Sequence, residues 1–289
     1  MKFPSRIILI ISLVWIFARG AIFLLPGDPV DYLVNESLIQ MNDEKTISEI
    51  RERMDMGVSF PKRVITMPSG KSLISGAPIS TMLKRACLNS LELATLTLFI
   101  TITLTFSFLY LGYRSESWNR ICDGISVFLA SVPIFISGPI LLFLFSLKLN
   151  FFPAINNPFL PAFCLGIYLT GFWYRSISQK IANYLPQSAV PGARARGIDE
   201  LRIFAFYVIA PCLGGLIRFF SAQVGNLLNG SLIVEIIFKW EGIGFLLSDA
   251  INRRDYPVIE TGLITVSMIT LISLQAGKWL QLKLEPAQR

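Results

Sequence analysis

The chain has 289 residues, of which 53% are hydrophobic and only 16% charged, and it carries a formal net charge of +7 with no histidine. A charged fraction this far below the usual quarter excludes an ordinary soluble domain. The basic surplus sits in short segments beside apolar runs, as in flanks that face anionic lipid, rather than in a nucleic-acid-binding patch. The lack of histidine removes the commonest metal ligand and the commonest general base. Cys87, Cys122, Cys164 and Cys212 are scattered without a CxxC pair and form neither a disulfide framework nor a metal motif.

Six apolar runs, each about long enough to cross a bilayer, follow in chain order. The first, Ile7 to Leu25, comes after Lys2 and Arg6. A cleaved signal peptide is the competing reading. Arg19 interrupts the stretch and no small-x-small site precedes Pro26, so residues 1–25 are read as a retained span. Residues 26–87 are polar and of mixed charge, an expected external loop subdomain. Within it Thr46 to Met54 fits a short surface helix, and Gly57, Pro61, Pro68, Gly70, Gly76 and Pro78 break the remainder into turns. Residues 88–284 form the core region. Its runs are Leu88 to Tyr113, Gly124 to Leu147 with Pro133 and Pro139 inside, Phe159 to Tyr174, Ile203 to Leu228, and Val258 to Gly277. A charged turn, Arg114 to Asp123, separates the second and third. Pro211, Gly214, Gly215 and Arg218 interrupt the fifth. Residues 285–289 are a tail.

Short-loop lysines and arginines set the orientation. Lys2 and Arg6, Arg114 and Arg120, then Arg175, Lys180, Arg194, Arg196 and Arg202, and finally Lys278, Lys283 and Arg289 all fall on one side of a six-span chain. That side is predicted to be cytoplasmic, with both termini inside. Lys239, Arg253 and Arg254 on the other side weaken the bias without reversing it.

Gly70-Lys71-Ser72 looks like the end of a phosphate-binding loop, but Ile65 stands where that loop needs its first glycine. With no other nucleotide motif, uphill transport would draw its energy from a partner or an ion gradient. Arg19, Glu92 and Arg218 are charges in or near spans. Snorkelling to the interface suits the first two, and Arg218 is open between lining a pore and forming a structural ion pair. The most informative local segment is 186–203. Ala193, Arg194, Ala195, Arg196 and Gly197 give a small, basic helix-turn-helix on the cytoplasmic face, and Ile198, Leu201 and Phe204 recur at helical spacing. Spacing alone leaves two readings, docking into a partner's groove or an interfacial amphipathic helix.

These motifs together resemble one family. Leu24-Leu25-Pro26-Gly27-Asp28-Pro29, Asn89-Ser90-Leu91-Glu92-Leu93-Ala94, Ser131-Val132-Pro133-Ile134-Phe135 and Leu149-Asn150-Phe151-Phe152-Pro153-Ala154 occur in the family's order. So do Ala193-Arg194-Ala195-Arg196-Gly197, the stretch Val234 to Gly244, Arg254-Asp255-Tyr256-Pro257, and Leu284-Glu285-Pro286. The chain is similar to the first of the two permeases of ABC importers in the dipeptide, oligopeptide and nickel uptake family. Glu241 stands where that family commonly has proline, the outer loop looks short, and the fifth run does not reproduce the family's usual asparagine-to-proline spacing.

The resemblance implies an all-α membrane protein with six transmembrane helices in the type I ABC importer permease fold, plus the external loop subdomain after the first helix. It implies a second homologous permease completing the pore as a heterodimer, two cytoplasmic ATPases that bind the ATP, and an extracytoplasmic substrate-binding protein. The chain itself would be no enzyme and would hold no cofactor. Ala193, Arg194, Ala195, Arg196, Gly197, Ile198 and Leu201 would contact the ATPases, with Arg218, Gln223 and Glu235 as candidates along the translocation pathway. Peptides are the expected cargo and nickel or a metal chelate the alternative. An ion-coupled secondary transporter is the rival from another class. It would need acidic sites within spans, and the sixth run offers only Glu260, near its start.

Overall fold

The computed structural model describes residues 12–13, 15–17, 20, 70–153, 157–184, 189–212, 216, 219–220, 223, 227 and 231–284. The Thr46–Met54 helix, Arg19, Arg218, most of the first run, part of the fifth and the tail lie outside these residues. Apart from one isolated bridge between Lys71 and Pro78, the described residues are helical or in turns.

Helix α1 (Ile79–Arg114) begins nine residues before the apolar run that announced it. Its first turns contain Met82, Leu83, Lys84, Arg85 and Ala86, which are strong helix formers that a hydropathy count passes over. Residues 79–87, assigned to the loop from sequence, are therefore helical. The expected charged turn after α1 is also helix. Helix α2 (Glu116–Ser131) starts there, with Arg120 placed 3.6 Å from Glu116 one turn earlier.

The expected third span is not one straight helix. Helix α2 ends at Ser131, and α3 (Ile134–Leu142) sets off at 97° to it. The residue before a proline is driven out of the helical region, and Val132 sits extended at φ −84°, ψ 115°. Pro133 then opens α3, its carbonyl accepting from Ile136 and Ser137. A π-helical stretch, Phe143–Lys148, continues α3. Helix α4 (Phe159–Tyr184) runs well past Arg175, where the apolar run stops. The charge marks the edge of the apolar stretch, but Gln179, Lys180 and Ala182 keep the helix going.

Next come α5 (Val190–Ala195) and α6 (Glu200–Ile203), a π-helical stretch Phe204–Ile209, and a 3-10 turn Ala210–Cys212 at Pro211. Residues 231–237 are helical, and α7 (Ile243–Asn252) and α8 (Tyr256–Leu284) follow. Among the described residues, α1 and the Tyr256–Ala276 part of α8 are long and apolar enough to cross a membrane. The bent α2–α3 pair makes a third candidate if it is one broken span.

The chain divides into two compact units. In the first, residues 1–89 and 241–271, Ile79, Met82 and Leu83 pack with Ala250, Tyr256, Val258 and Ile259. Ala86 and Cys87 pack with Ile243, Leu247 and Leu263. The turn at 72–76 is fastened to the α7–α8 corner by buried Asp255, which accepts from the Ser72 hydroxyl and, at 3.1 Å, from the Leu73 amide. Arg85 meets Glu241 at 2.6 Å, and the Glu241 carbonyl accepts from the Asn89 amide at 2.9 Å.

The second unit, residues 90–240 and 272–289, has its core around α4, where Leu160, Leu165, Leu169, Trp173, Tyr174 and Ile177 are almost fully buried. Two glycines let backbones approach, as small residues do where helices cross in a bilayer. A Cβ on Gly166 would come within 2.8 Å of Ile100 on α1, and one on Gly171 within 2.6 Å of the Ser126 carbonyl on α2.

Candidate functional site

The 190–203 segment is a tight helix-turn-helix. Pro191 in the first turn of α5 costs no hydrogen bond, since the amide it lacks would have had no partner. The helix ends in a turn with Gly197 at φ +74°, a conformation most residues resist. Gly197 donates to the Arg194 carbonyl at 3.0 Å and Ile198 to the Ala193 carbonyl at 3.3 Å, closing the end of α5. Asp199 caps α6 by accepting from the Leu201 amide at 3.0 Å.

The segment has two faces. Val190, Ala193, Ile203 and Phe204 are buried, and Ile198 packs on the same core. Phe204, which spacing put on a docking face, turns inward, its ring 5.3 Å from that of Tyr110 and 5.5 Å from that of Tyr113. The outward face holds Ala195, Arg196, Gly197 and Leu201, the last 59% exposed. Arg196 donates to the Gly192 carbonyl at 3.1 Å.

Arg194 is already engaged. Its guanidinium grips Glu200 in a bidentate pair, Nε to Oε1 at 2.6 Å and Nη2 to Oε2 at 3.2 Å. The Tyr113 hydroxyl, at the end of α1, donates to Glu200 Oε2 at 2.9 Å and accepts from Arg194 Nη2 at 3.3 Å. Bidentate guanidinium–carboxylate pairs combine charge with fixed geometry. The Arg194 hydrogen bonds, and then that of Tyr113, hold the Glu200 carboxyl below the usual carboxylate range. A carboxyl depressed by folding contributes stability above its unfolded value and loses it as the pH falls through the folded one. The pair is therefore intact at neutral pH and opens only in acid. Beside it lies a cleft of ≈ 670 Å³ lined by Leu109, Asn119, Asp123, Arg175, Val190 and Arg194, among others.

Of the pathway candidates, Glu235 is fully buried and accepts from the Ser90 hydroxyl at 2.7 Å, while Gln223 is 8% exposed. Glu92 lies exposed on α1. Sequence reasoning gave no role to Tyr113, the last residue of an apolar run, and quoted Ser90 only within a family motif. Glu200 fell within the 186–203 segment and was given no role. A tyrosine at the basic end of a span is the signal that was available. Among the described residues no group of three His, Cys, Asp or Glu is gathered as a metal site.

The chain is similar over most of its length to curated permeases. It is 26% identical to the nickel import system permease protein NikB of Staphylococcus aureus strain USA300 over 276 residues, covering 92% of this chain and 84% of that one. With the protein of the same name from strain MRSA252 it shares 25% identity over 299 residues, 98% and 90% of the two chains. A solved structure, described as the crystal structure of an amino acid ABC transporter with histidines, superposes with a TM-score of 0.54 over 72% of this chain and 94% of that one. The identity there is 16%, a likeness of fold. Residues 104–289 match the family of binding-protein-dependent transport system inner membrane components, which takes in α2 to α8 and the 190–203 segment. The chain belongs to that family and is the permease component of an ABC importer.

Proposed function

We propose that this chain forms half of a translocation pore, paired with a second homologous permease and seated on two cytoplasmic ATPases through residues 190–203. An extracytoplasmic binding protein delivers the cargo. The observation that carries the reading is the outward face of the segment. Ala195, Arg196, Gly197 and Leu201 stand exposed on a scaffold whose inner face is buried in the same unit. Small residues at the turn allow close approach, and the exposed leucine suits an apolar groove. ATP binding closes the ATPase pair, the segment moves with it, and the spans tilt to expose the pathway on alternate sides. Hydrolysis belongs to the partners, and this chain does no covalent chemistry.

The positive-inside bias puts both termini in the cytoplasm of a cell-membrane protein and residues 26–78 outside. The six-span count rests on the apolar runs at 7–25 and 203–228 together with α1, the bent α2–α3 pair, α4 and α8. Buried Glu235 and Gln223, with Arg218, are the pathway candidates. The cargo is a small solute of the peptide and nickel class. The Staphylococcus aureus relatives, named as nickel import permeases, favour nickel as ion or chelate.

The test is uptake by the complete importer in proteoliposomes, with the binding protein loaded with radioactive nickel or with a labelled dipeptide. Accumulation of either cargo that needs both ATP and the binding protein is the expected result. Uptake by the permeases alone under a proton or sodium gradient would instead make the chain a secondary transporter.

A further inference from the structure

The Arg194–Glu200–Tyr113 contact adds directional bonds between two elements that otherwise meet through the Phe204 ring against Tyr110 and Tyr113. Within this unit the 190–203 segment rests on the bundle through Val190, Ala193, Ile203 and Phe204. Next to that contact it borders the ≈ 670 Å³ cleft, which Leu109 and Tyr113 of α1, Asn119 and Asp123 of α2, and Arg175 of α4 also line. A segment packed on one side and open on the other can rock. Besides the Phe204–Tyr113 ring contact, which fixes no direction, a set of directional bonds ties the segment to the end of α1. Glu200 stands one residue after the capping Asp199, so it moves with α6. Its Oε2 is held by the hydroxyl of Tyr113, one residue from the end of α1. Arg194 reaches back from α5 to hold both Glu200 oxygens, so the two short helices move as one piece.

We propose that Glu200 is a positioning residue of the transport cycle. Clamped by Arg194, it passes displacement of the 190–203 segment to α1 through the Tyr113 hydroxyl. This rests on the docking reading above and adds to it the route by which the movement leaves the segment. Exposed ion pairs contribute little to stability. The role needs direction and distance rather than energy, and a bidentate pair plus a phenol supplies both.

Tyr113→Phe removes one hydroxyl and leaves the ring beside Phe204. Glu200→Gln keeps the shape and removes the charge. Each is assayed in the full importer for copurification of the ATPases, for basal ATP hydrolysis, and for cargo taken up per ATP hydrolysed. Tyr113→Phe is expected to retain the ATPases and basal hydrolysis while uptake per ATP falls at least about 5-fold, the lower end of ordinary coupling between sites. Glu200→Gln should lower the same ratio. Normal uptake per ATP in both variants overturns the proposal. So does loss of the ATPases with normal uptake per ATP in the complexes that remain, which would make the contact merely structural. Absence of ATP-dependent uptake in the unaltered importer would overturn the docking reading itself, and is distinguishable because it needs no variant.

Discussion

Gly171→Ala is the perturbation whose size the geometry sets most directly. A Cβ built at Gly171 lies 2.6 Å from the Ser126 carbonyl oxygen, 2.8 Å from the Ala130 amide nitrogen and 2.9 Å from Leu129 Cβ. Ordinary contact begins near 3.4 Å, so α2 must back away from α4 by about 0.8 Å. Two of the three atoms are backbone, and no side-chain rotation relieves them. Overpacking of a close-packed contact costs typically about 1–3 kcal/mol. On the scale of about 2–4 °C per kcal/mol for a domain of this size, the melting temperature should fall by about 2–12 °C. Gly124 on α2 is the internal control, because a Cβ there meets nothing within 4 Å. Gly124→Ala should be neutral or stabilising by up to about 1 kcal/mol through helix propensity alone. The assay heats detergent-solubilised permease and measures the monodisperse fraction left, comparing the two alanines with the unaltered protein. Equal losses in both, or no loss at Gly171, would refute the claim that the α2–α4 approach depends on the missing side chain.

At Gly197 the positive φ strains β-branched valine, and a glutamate there would fill the close-approach turn with a carboxylate amid Arg194 and Arg196, so Gly197→Val and Gly197→Glu should abolish ATP-dependent uptake with the permease still in the membrane. Gly197→Asn, which tolerates that backbone, should keep measurable uptake. In intact cells a membrane-impermeant thiol reagent should label Ser75→Cys and spare Arg196→Cys, both exposed positions, and the reverse pattern would invert the orientation.

What the sequence determined on its own was the class of protein. Fifty-three per cent hydrophobic residues in long runs fix the solvent as lipid, because burying that surface in one soluble core would leave too little polar covering. The ordered motifs from Leu24 to Pro286 carried the family, and Ala193 to Gly197 marked the segment that the fold presents as a helix-turn-helix. Hydropathy measures transfer into lipid, however, and not where a helix begins or ends. It therefore missed the polar first turns of α1, the amphipathic start of α2 and the length of α4 beyond Arg175. The bend at Val132–Pro133 was written locally in the proline, but its 97° angle is a property of the folded chain. Only the tertiary structure turned Phe204 inward, closed Asp255 onto Ser72 across 183 positions and brought Tyr113 to Glu200 across 87. Such pairings depend on which helix faces meet, and that is set by packing against neighbours rather than by any periodicity within one segment.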